Sequence, residues 1–525
     1  MARRPLPIPL GFRPSRAFFA LALSLATGTA AAAAQAPPDL SRQVEIRRTA
    51  YGVPHILADN LEAAAFALAW VMTEDYGERV PLGILRARGE SARYLGPEHV
   101  EGDFLRRLAH RRAVEKYHLV DADTRAVYEG FAAGVNRYLE LHETEMDTLP
   151  RGLRFTGHDV FSRDVSPPAF DGGRRVIARL DPQPEDGSNA WAFHPSRTKS
   201  GRAILLRNPH LSWTSGYYEA HVTVPGVLDF YGDFRIGGPF GVIGGFNDRL
   251  GWATTNNDVD PDEVYALDAD PERPDHVLFD GGSVPLRREL VTVEFRNGPA
   301  LNTATREFWT TPLGPVIHRA DGKVYVARVA GDGEHRGGQQ FLRMMRAQSL
   351  EEWKDAMRML ARETSNFTYA DADGNVFYVW NGTVPRLPHA PGGDTLAVPA
   401  RRTSDVWTRL IPWDSLPQLQ NPRGGYLHNE NDSYHFANLN EVMDPSRFPP
   451  NLPGPRLRLR SQHALELIRG DEKVSLEDVV RLKHSYRMLL ADRVLDDLVA
   501  AVREAGAGGE VAGAIALLEA WDRTA

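Results

Sequence analysis

From residue 188 to about residue 430 the sequence is a succession of short alternating runs, AWAFH, RAILLR, YYEAHVTV, VLDFYGDF and NVFYVW among them, each bounded by Gly, Pro or Asp. Alternation with a period of two sends successive side chains to opposite faces of a strand, and the bounding residues are turn formers. Extensive β-sheet is therefore predicted here, interrupted by one helix near 350–361 (LEEWKDAMRMLA). The flanks have another texture. Residues 41 to about 60 read as a strand and turn. Leu61, Ala65, Leu68 and Val71, and later Val127, Phe131, Val135 and Leu139, recur at helical spacing over 61–78 and 121–145. After Leu452 the helical pattern returns, and Ser475, followed by Glu477, has the form of an N-cap with acid in the first turn. Residues 165–187, VSPPAFDGGRRVIARLDPQPEDG, are rich in Pro, Gly and charge and read as a linker or an exposed, excisable segment. The fold class expected is α+β.

Composition narrows the possible functions. A net charge of −8 points to neither nucleic acid nor an anionic membrane surface as a partner. The short basic cluster Arg456, Arg458 and Arg460 reads as a solvated strand or loop. The absence of cysteine excludes disulfides, thiolate metal sites and a cysteine nucleophile. At the N-terminus Arg3, Arg4, Arg13 and Arg16 precede an apolar run from Ala17 to Leu25 and an alanine-rich stretch ending at Ala34. A charged region, a short apolar core and small residues form a secretory signal, residues 1–34, and imply a periplasmic location. The run is too short for a membrane anchor, and no other stretch approaches the ~20 apolar residues that a span requires.

No P-loop, GxGxxG, HExxH or GxSxG occurs. Ser196-Arg-Thr-Lys199 satisfies an SxxK pattern but lies in what reads as a turn between strands. Asp371-Ala-Asp373-Gly374-Asn375 begins like a calcium loop, lacks its later glutamate, and reads as a hairpin turn between FTYA and VFYVW.

The chemistry centres on Gly187-Ser188-Asn189-Ala190-Trp191, at the switch from linker to sheet. Downstream stand Asn208-Pro209-His210-Leu211-Ser212-Trp213, Tyr218-Glu219-Ala220-His221, GFNDRLGWATTNNDVD (245–260) and YLHNEND (426–432), and upstream Tyr51-Gly52-Val53-Pro54-His55. These motifs, in this order and spacing, resemble the penicillin-acylase family of N-terminal-nucleophile hydrolases, which includes cephalosporin acylases and acyl-homoserine-lactone acylases. The resemblance runs from about residue 43 to the end. It implies an αββα sandwich with a helix-rich first subunit. It also implies a precursor cut before Ser188, with residues 35–165 as α-subunit, 166–187 as spacer and 188–525 as β-subunit of an α/β heterodimer. The substrate implied is a small-molecule amide.

The residues fit that chemistry. A serine hydroxyl is a weak nucleophile until a base takes its proton. A cut between Gly187 and Ser188 gives Ser188 its own α-amine, whose reference pKa of about 7.7–8.0 leaves it partly neutral at working pH. Gly187 leaves the scissile bond little steric cover. By resemblance His210 orients the serine and its amine. The backbone amide of Asn256 and the side chain of Asn429 donate to the oxyanion that acyl transfer generates. Asn189 positions the substrate amide or the serine loop, and Arg460 matches a family arginine near the site. Asp258, Asp260 and Asp262 read first as turn carboxylates; a calcium site is the alternative implied by penicillin G acylases, and Pro261 interrupts its pattern. No other cofactor is expected.

Glutaryl-selective cephalosporin acylases place an arginine after an Ile-Gly-x-Pro turn, whereas IGGPFGVIGGF (236–246) is uncharged here. Burying a carboxylate without a partner costs several kcal/mol, so an apolar acyl group is favoured, with Trp213, Phe240, Val242 and Ile243 lining its pocket. N-acyl-homoserine lactones, acylated peptides and β-lactams fit that description. The family precursors extend well beyond the position of Trp521, and cephalosporin-type members draw a catalytic glutamate from that later part; a fragment is the expectation. The rival from another class is an uncleaved periplasmic binding protein with the same fold.

Overall fold

A computed structural model describes residues 39–172, 187–212, 214–240, 243–361, 364–389 and 397–525. Residues Leu40–Ala525 form one compact unit. The alternating runs form strands as expected, divided among three sheets in a way that alternation alone does not specify. A nine-stranded sheet runs in the order Val44–Arg48, Pro54–Ala58, Tyr217–Val224, Leu228–Arg235, Gly244–Phe246, Leu250–Thr255, Thr364–Asp371, Val376–Gly382, Gln418–Gln420. Its neighbours are antiparallel except Pro54–Ala58 beside Tyr217–Val224, which is parallel and joins the chain before residue 187 to the chain after it. A three-stranded sheet, Tyr426–Asn429, Gly187–Phe193, Ile204–His210, carries Ser188 in its central strand. An eight-stranded sheet drawn mostly from residues 262–329 stands apart, with its own core around Tyr265, Leu267, Val324 and Val326.

The three-stranded sheet packs on Leu250–Thr255, Thr364–Asp371 and Val376–Gly382 of the large sheet. Its strands obey the period-two rule. Ala192 joins the core shared with the large sheet, while Trp191 and Phe193 face away and are covered by helices Leu459–Ile468 and Leu476–Lys483 through Ala464, Leu465, Ile468 and Val479. On the other side of the large sheet lie helices Leu61–Tyr76, Ala122–Leu141, Gly337–Arg346 and Leu350–Met357; Trp353 packs on Phe367, Tyr369 and Phe377 there. The layers therefore run helix, sheet, sheet, helix. Leu61–Tyr76 and Ala122–Leu141 cross closely because Gly130 and Gly134 carry no Cβ, which would meet the carbonyl oxygens of Glu62 and Phe66 at 2.0 and 2.2 Å.

Ser475 caps its helix as the sequence indicates, and three further helices are capped in the same way. Asn60, Asp121 and Ser349 each accept from the backbone N–H three residues on, and Ser475 forms a capping box with Asp478. The hairpin at Asp371 closes as expected, its carboxylate accepting from the Asn375 N–H at 2.8 Å. One expectation fails: the helical pattern after Ser475 is broken between Lys483 and Leu489, where Ser485 turns back onto His463 at 3.0 Å. Among the described residues no helix is long and apolar enough to cross a membrane.

Candidate active site

Ser188 is the second residue of its strand and is 5% exposed. The Ser188 hydroxyl donates to the Gly187 carbonyl oxygen at 2.7 Å. The Ser188 N–H donates to the Asn431 side-chain oxygen at 2.6 Å. Arg460 spans the other side: its guanidinium donates to the Ser188 carbonyl at 2.6 Å, to the Asn189 side chain at 2.7 Å and to the Asn431 side-chain oxygen at 2.8 Å. One cation and one amide thus grip both ends of the serine.

His210 lies opposite Gly187 in the antiparallel pairing. Its Nε2 faces the Asn208 side-chain oxygen at 3.2 Å, so that nitrogen carries the proton and Nδ1 keeps its lone pair. That Nδ1 would stand 3.1 Å from a Cβ placed on Gly187, an approach that a larger residue would crowd. Burial, then the positive charge of Arg460, pushes the His210 pKa down and favours the neutral ring. A cavity of about 880 Å³ opens here, bounded by Gly187, His210, Arg458 and Arg460, and gives water access to the Gly187 side of the serine.

The segment His428–Asp432 is the structural centre of the site. Asn429 is buried, and its side-chain oxygen accepts from Thr255, from Asn366 at 3.1 Å and from the Asn431 N–H at 2.9 Å; its amide donates to the Asp432 carbonyl at 3.0 Å. The Asn429 side-chain oxygen and one of the two amide N–H groups thus hold the turn. Asn431, two residues on, is the side chain that reaches Ser188. Its backbone is left-handed, with φ 65°, a conformation costing about 1–3 kcal/mol in a non-glycine residue unless its surroundings impose it. The Asn431 amide donates to the Asn256 carbonyl at 3.0 Å; this contact uses the carbonyl of Asn256 and not the backbone N–H expected to donate to an oxyanion. Asp432 accepts from the Arg458 N–H at 2.6 Å and from the Ser461 hydroxyl at 2.6 Å, fixing the start of the helix that projects Arg460.

The basic cluster is partly solvated, with Arg456 exposed in a loop, and its charges are paired. Arg456 pairs with Asp258 at 3.1 Å, Arg458 with Asp432 at 2.7 Å, and Arg460 holds the serine. Asp258 is thus engaged by a cation, while Asp260 and Asp262 are buried. Among the described residues no group of three or more His, Asp or Glu side chains is arranged to hold a metal ion.

Of the four expected acyl-pocket residues, Phe240 and Ile243 are among the described residues. Phe240 is buried in the main core, edge-on to Tyr128 with ring centroids 5.3 Å apart. Ile243 offers its carbonyl to the Thr254 hydroxyl at 2.6 Å. Trp213 and Val242 lie outside the described residues, as do residues 173–186 of the expected spacer. The uncharged turn after Ile236 is also not free of charge in space. Arg163 lies against Gly237 and donates to the Ile236 carbonyl at 3.2 Å. Burial and the neighbouring Arg235 push the Arg163 pKa down to about 10.

The sequence from residue 43 to 525 matches the penicillin amidase family along nearly its whole length. The chain belongs to the penicillin amidase family. This places it among amide-cleaving hydrolases. An acyl-homoserine lactone acylase PvdQ of Pseudomonas fluorescens (strain Pf0-1) is 28% identical over 560 residues, covering 92% of this chain and 71% of that one. Aculeacin-A acylase of Actinoplanes utahensis is 25% identical over 546 residues, covering 87% and 68%. Penicillin G acylase of Escherichia coli is 28% identical over 252 residues, covering 47% and 29%. Among solved structures, thermostable penicillin G acylase from Alcaligenes faecalis aligns with a TM-score of 0.49 and 22% identity, over 64% of this chain and 59% of that one. The site residues that sequence reasoning missed are Asn431 and the acids flanking it. The available signal was the run of five consecutive polar residues, His428–Asp432, inside a sheet-forming region.

Proposed function

We propose that this family member is an exported precursor that cuts itself between Gly187 and Ser188 and then uses Ser188 to hydrolyse linear amides with an apolar acyl group. The observation that carries the reading is the Ser188 hydroxyl held 2.7 Å from the Gly187 carbonyl oxygen while Asn431 holds the nitrogen of the same peptide bond.

The cut follows from that geometry. The Ser188 oxygen attacks the Gly187 carbonyl carbon, and its proton passes to the Ser188 nitrogen as the C–N bond breaks. Gly187 is then an ester on Ser188, and water from the cavity hydrolyses it to a Gly187 carboxylate and a free hydroxyl. The amine released is the general base for the next reaction, since its ordinary pKa lies near neutrality. In turnover that amine takes the hydroxyl proton, through one water, as Ser188 attacks the substrate amide. The departing amine takes the proton, and water cleaves the acyl-Ser188 ester. His210, neutral and with its Nδ1 lone pair toward Gly187, accepts from the Ser188 amine and orients it. Arg460 and Asn431 hold the strand end while charge develops. The mature protein in this reading is a heterodimer of an α-subunit, residues 35–165, and a β-subunit that begins at Ser188.

The uncharged 236–246 segment supports an apolar acyl group, and the PvdQ relatives, named for acyl-homoserine lactones, point to that class of substrate. The nearby Arg163 makes a carboxylate-ended acyl chain the discriminating probe. N-terminal sequencing and intact mass of the purified protein, beside Ser188→Ala, test the processing step. A fragment beginning Ser-Asn-Ala-Trp, absent from the variant, is expected; a single uncut wild-type chain sinks the reading. Acyl-homoserine lactones with alkyl and with carboxylate-ended chains, and penicillins, then test the substrate. Preference for the carboxylate-ended chain overturns the apolar assignment.

A further inference from the structure

Glu430 lies between Asn429 and Asn431 and points away from both. Its side chain is 0% exposed, and both carboxylate oxygens are used. One accepts from the Trp191 indole N–H at 2.7 Å, the other from His428 Nδ1 at 2.7 Å. The His428 side chain is 3% exposed, and its Nε2 meets the Phe436 carbonyl at 2.7 Å. Burial opposes charge on His428, but the charge of Glu430 and its hydrogen bond outweigh it and raise the His428 pKa, which favours the doubly protonated ring. The site is therefore backed by a buried, hydrogen-bonded Glu430–His428 pair.

A buried pair is poor evidence for stability, because apolar residues of the same volume fill such space as well or better. What this one does is specific. Trp191 is three residues from Ser188 on the nucleophile strand, and Asn431 follows Glu430 in the strained left-handed turn. Glu430 ties the two together from the face of the small sheet opposite Asn429. A left-handed asparagine persists only when its neighbours impose it. Asp432 anchors the residue after Asn431 and Glu430 the residue before it.

We infer that Glu430, clamped between Trp191 and His428, is a positioning residue that keeps the Asn431 amide on the nitrogen of Ser188. The inference rests on the proposed self-processing and turnover at Ser188. It assigns to Glu430 no contact with substrate: the carboxylate acts through Asn431.

The test is a double-mutant cycle on the rate of self-cutting, with Glu430→Ala, Asn431→Ala and the double variant, followed by intact mass, with thermal midpoints measured alongside. Glu430→Gln is included because it keeps the shape. Its amide oxygen still accepts from Trp191, and its NH2 group suits a His428 that has lost the Nδ1 proton, so this variant folds even where Glu430→Ala does not. We expect cutting slowed at least ~10-fold in Glu430→Ala, with Glu430→Gln rescuing most of the loss, and a double variant no slower than Asn431→Ala alone. The same order is expected for kcat of the mature enzyme, with KM little changed. Multiplied losses in the double variant, or a folded Glu430→Ala cutting at the wild-type rate, overturn the inference while leaving self-processing intact. If the wild type does not cut, the functional reading fails instead, and a crystal structure of uncut Glu430→Ala decides the positioning claim. Asn431 displaced from Ser188 supports it; Asn431 still bonded there overturns it.

Discussion

The His428–Asp432 segment and the Ile236–Phe246 segment both border the central strands, and they are held by opposite means. The first is a run of polar side chains, nearly all buried, each bonded to a named partner. The second is apolar or glycine, and its described contacts are packing, as at Phe240 against Tyr128, or backbone bonds, as at Ile243 and Ile236. A hydrogen-bonded network fixes atoms to tenths of an ångström, because an unmade bond to a buried polar group costs about 1–3 kcal/mol. Packing of apolar groups fixes volume and tolerates exchange of shape. Chemistry that needs an amide on one nitrogen draws on the first; selection among acyl groups of different length can draw on the second.

The contrast can be broken from either side. Phe240→Ala opens the packed segment, and a loss of about 3–5 kcal/mol of stability is expected in chemical denaturation. The fraction cut at Ser188 in the folded protein should not change; a cutting defect there would join the two regions. Asn431→Ala removes the amide from Ser188 without opening a large cavity. Loss of that acceptor leaves the buried Ser188 N–H without its partner, about 1–3 kcal/mol or roughly 10–100-fold in cutting rate, with a smaller effect on the melting temperature. Arg460→Lys keeps the charge but cannot bond three acceptors in one plane. Loss of a charged hydrogen bond of about 1.5–3 kcal/mol corresponds to roughly 10–100-fold in the same rate.

The smallest effect expected is on pH. The His428 pKa is raised in the folded protein above its unfolded value near 6.5. The stability this contributes is complete below that value and is lost as pH rises through the raised one. Melting temperature should therefore fall on the alkaline side, and Glu430→Gln should flatten that slope; a slope unchanged by the substitution removes the ion pair as its origin.

Much of this was legible in order along the chain. Period-two runs announced the strands, helical spacing announced Leu61–Tyr76 and Ala122–Leu141, and Ser188 stood where linker gave way to sheet. These are local properties, since alternation and capping involve residues at most a few positions apart. His210 was legible through its motif, and its pairing with Gly187 follows once two strands lie antiparallel. What the sequence did not disclose were contacts made across long separations. Arg460 meets Ser188 from 272 residues away and Asn431 from 243. From sequence a basic triplet is a solvated surface and an asparagine-rich string is a turn. Only the sandwich, by placing the start of one helix and the end of one strand around the same serine, decides that Arg460 and Asn431 are held there and that Asn429 bonds within the turn. The physical reason is that a side chain's partners are set by which elements share a layer, and the period of a strand records which face is buried without recording what buries it.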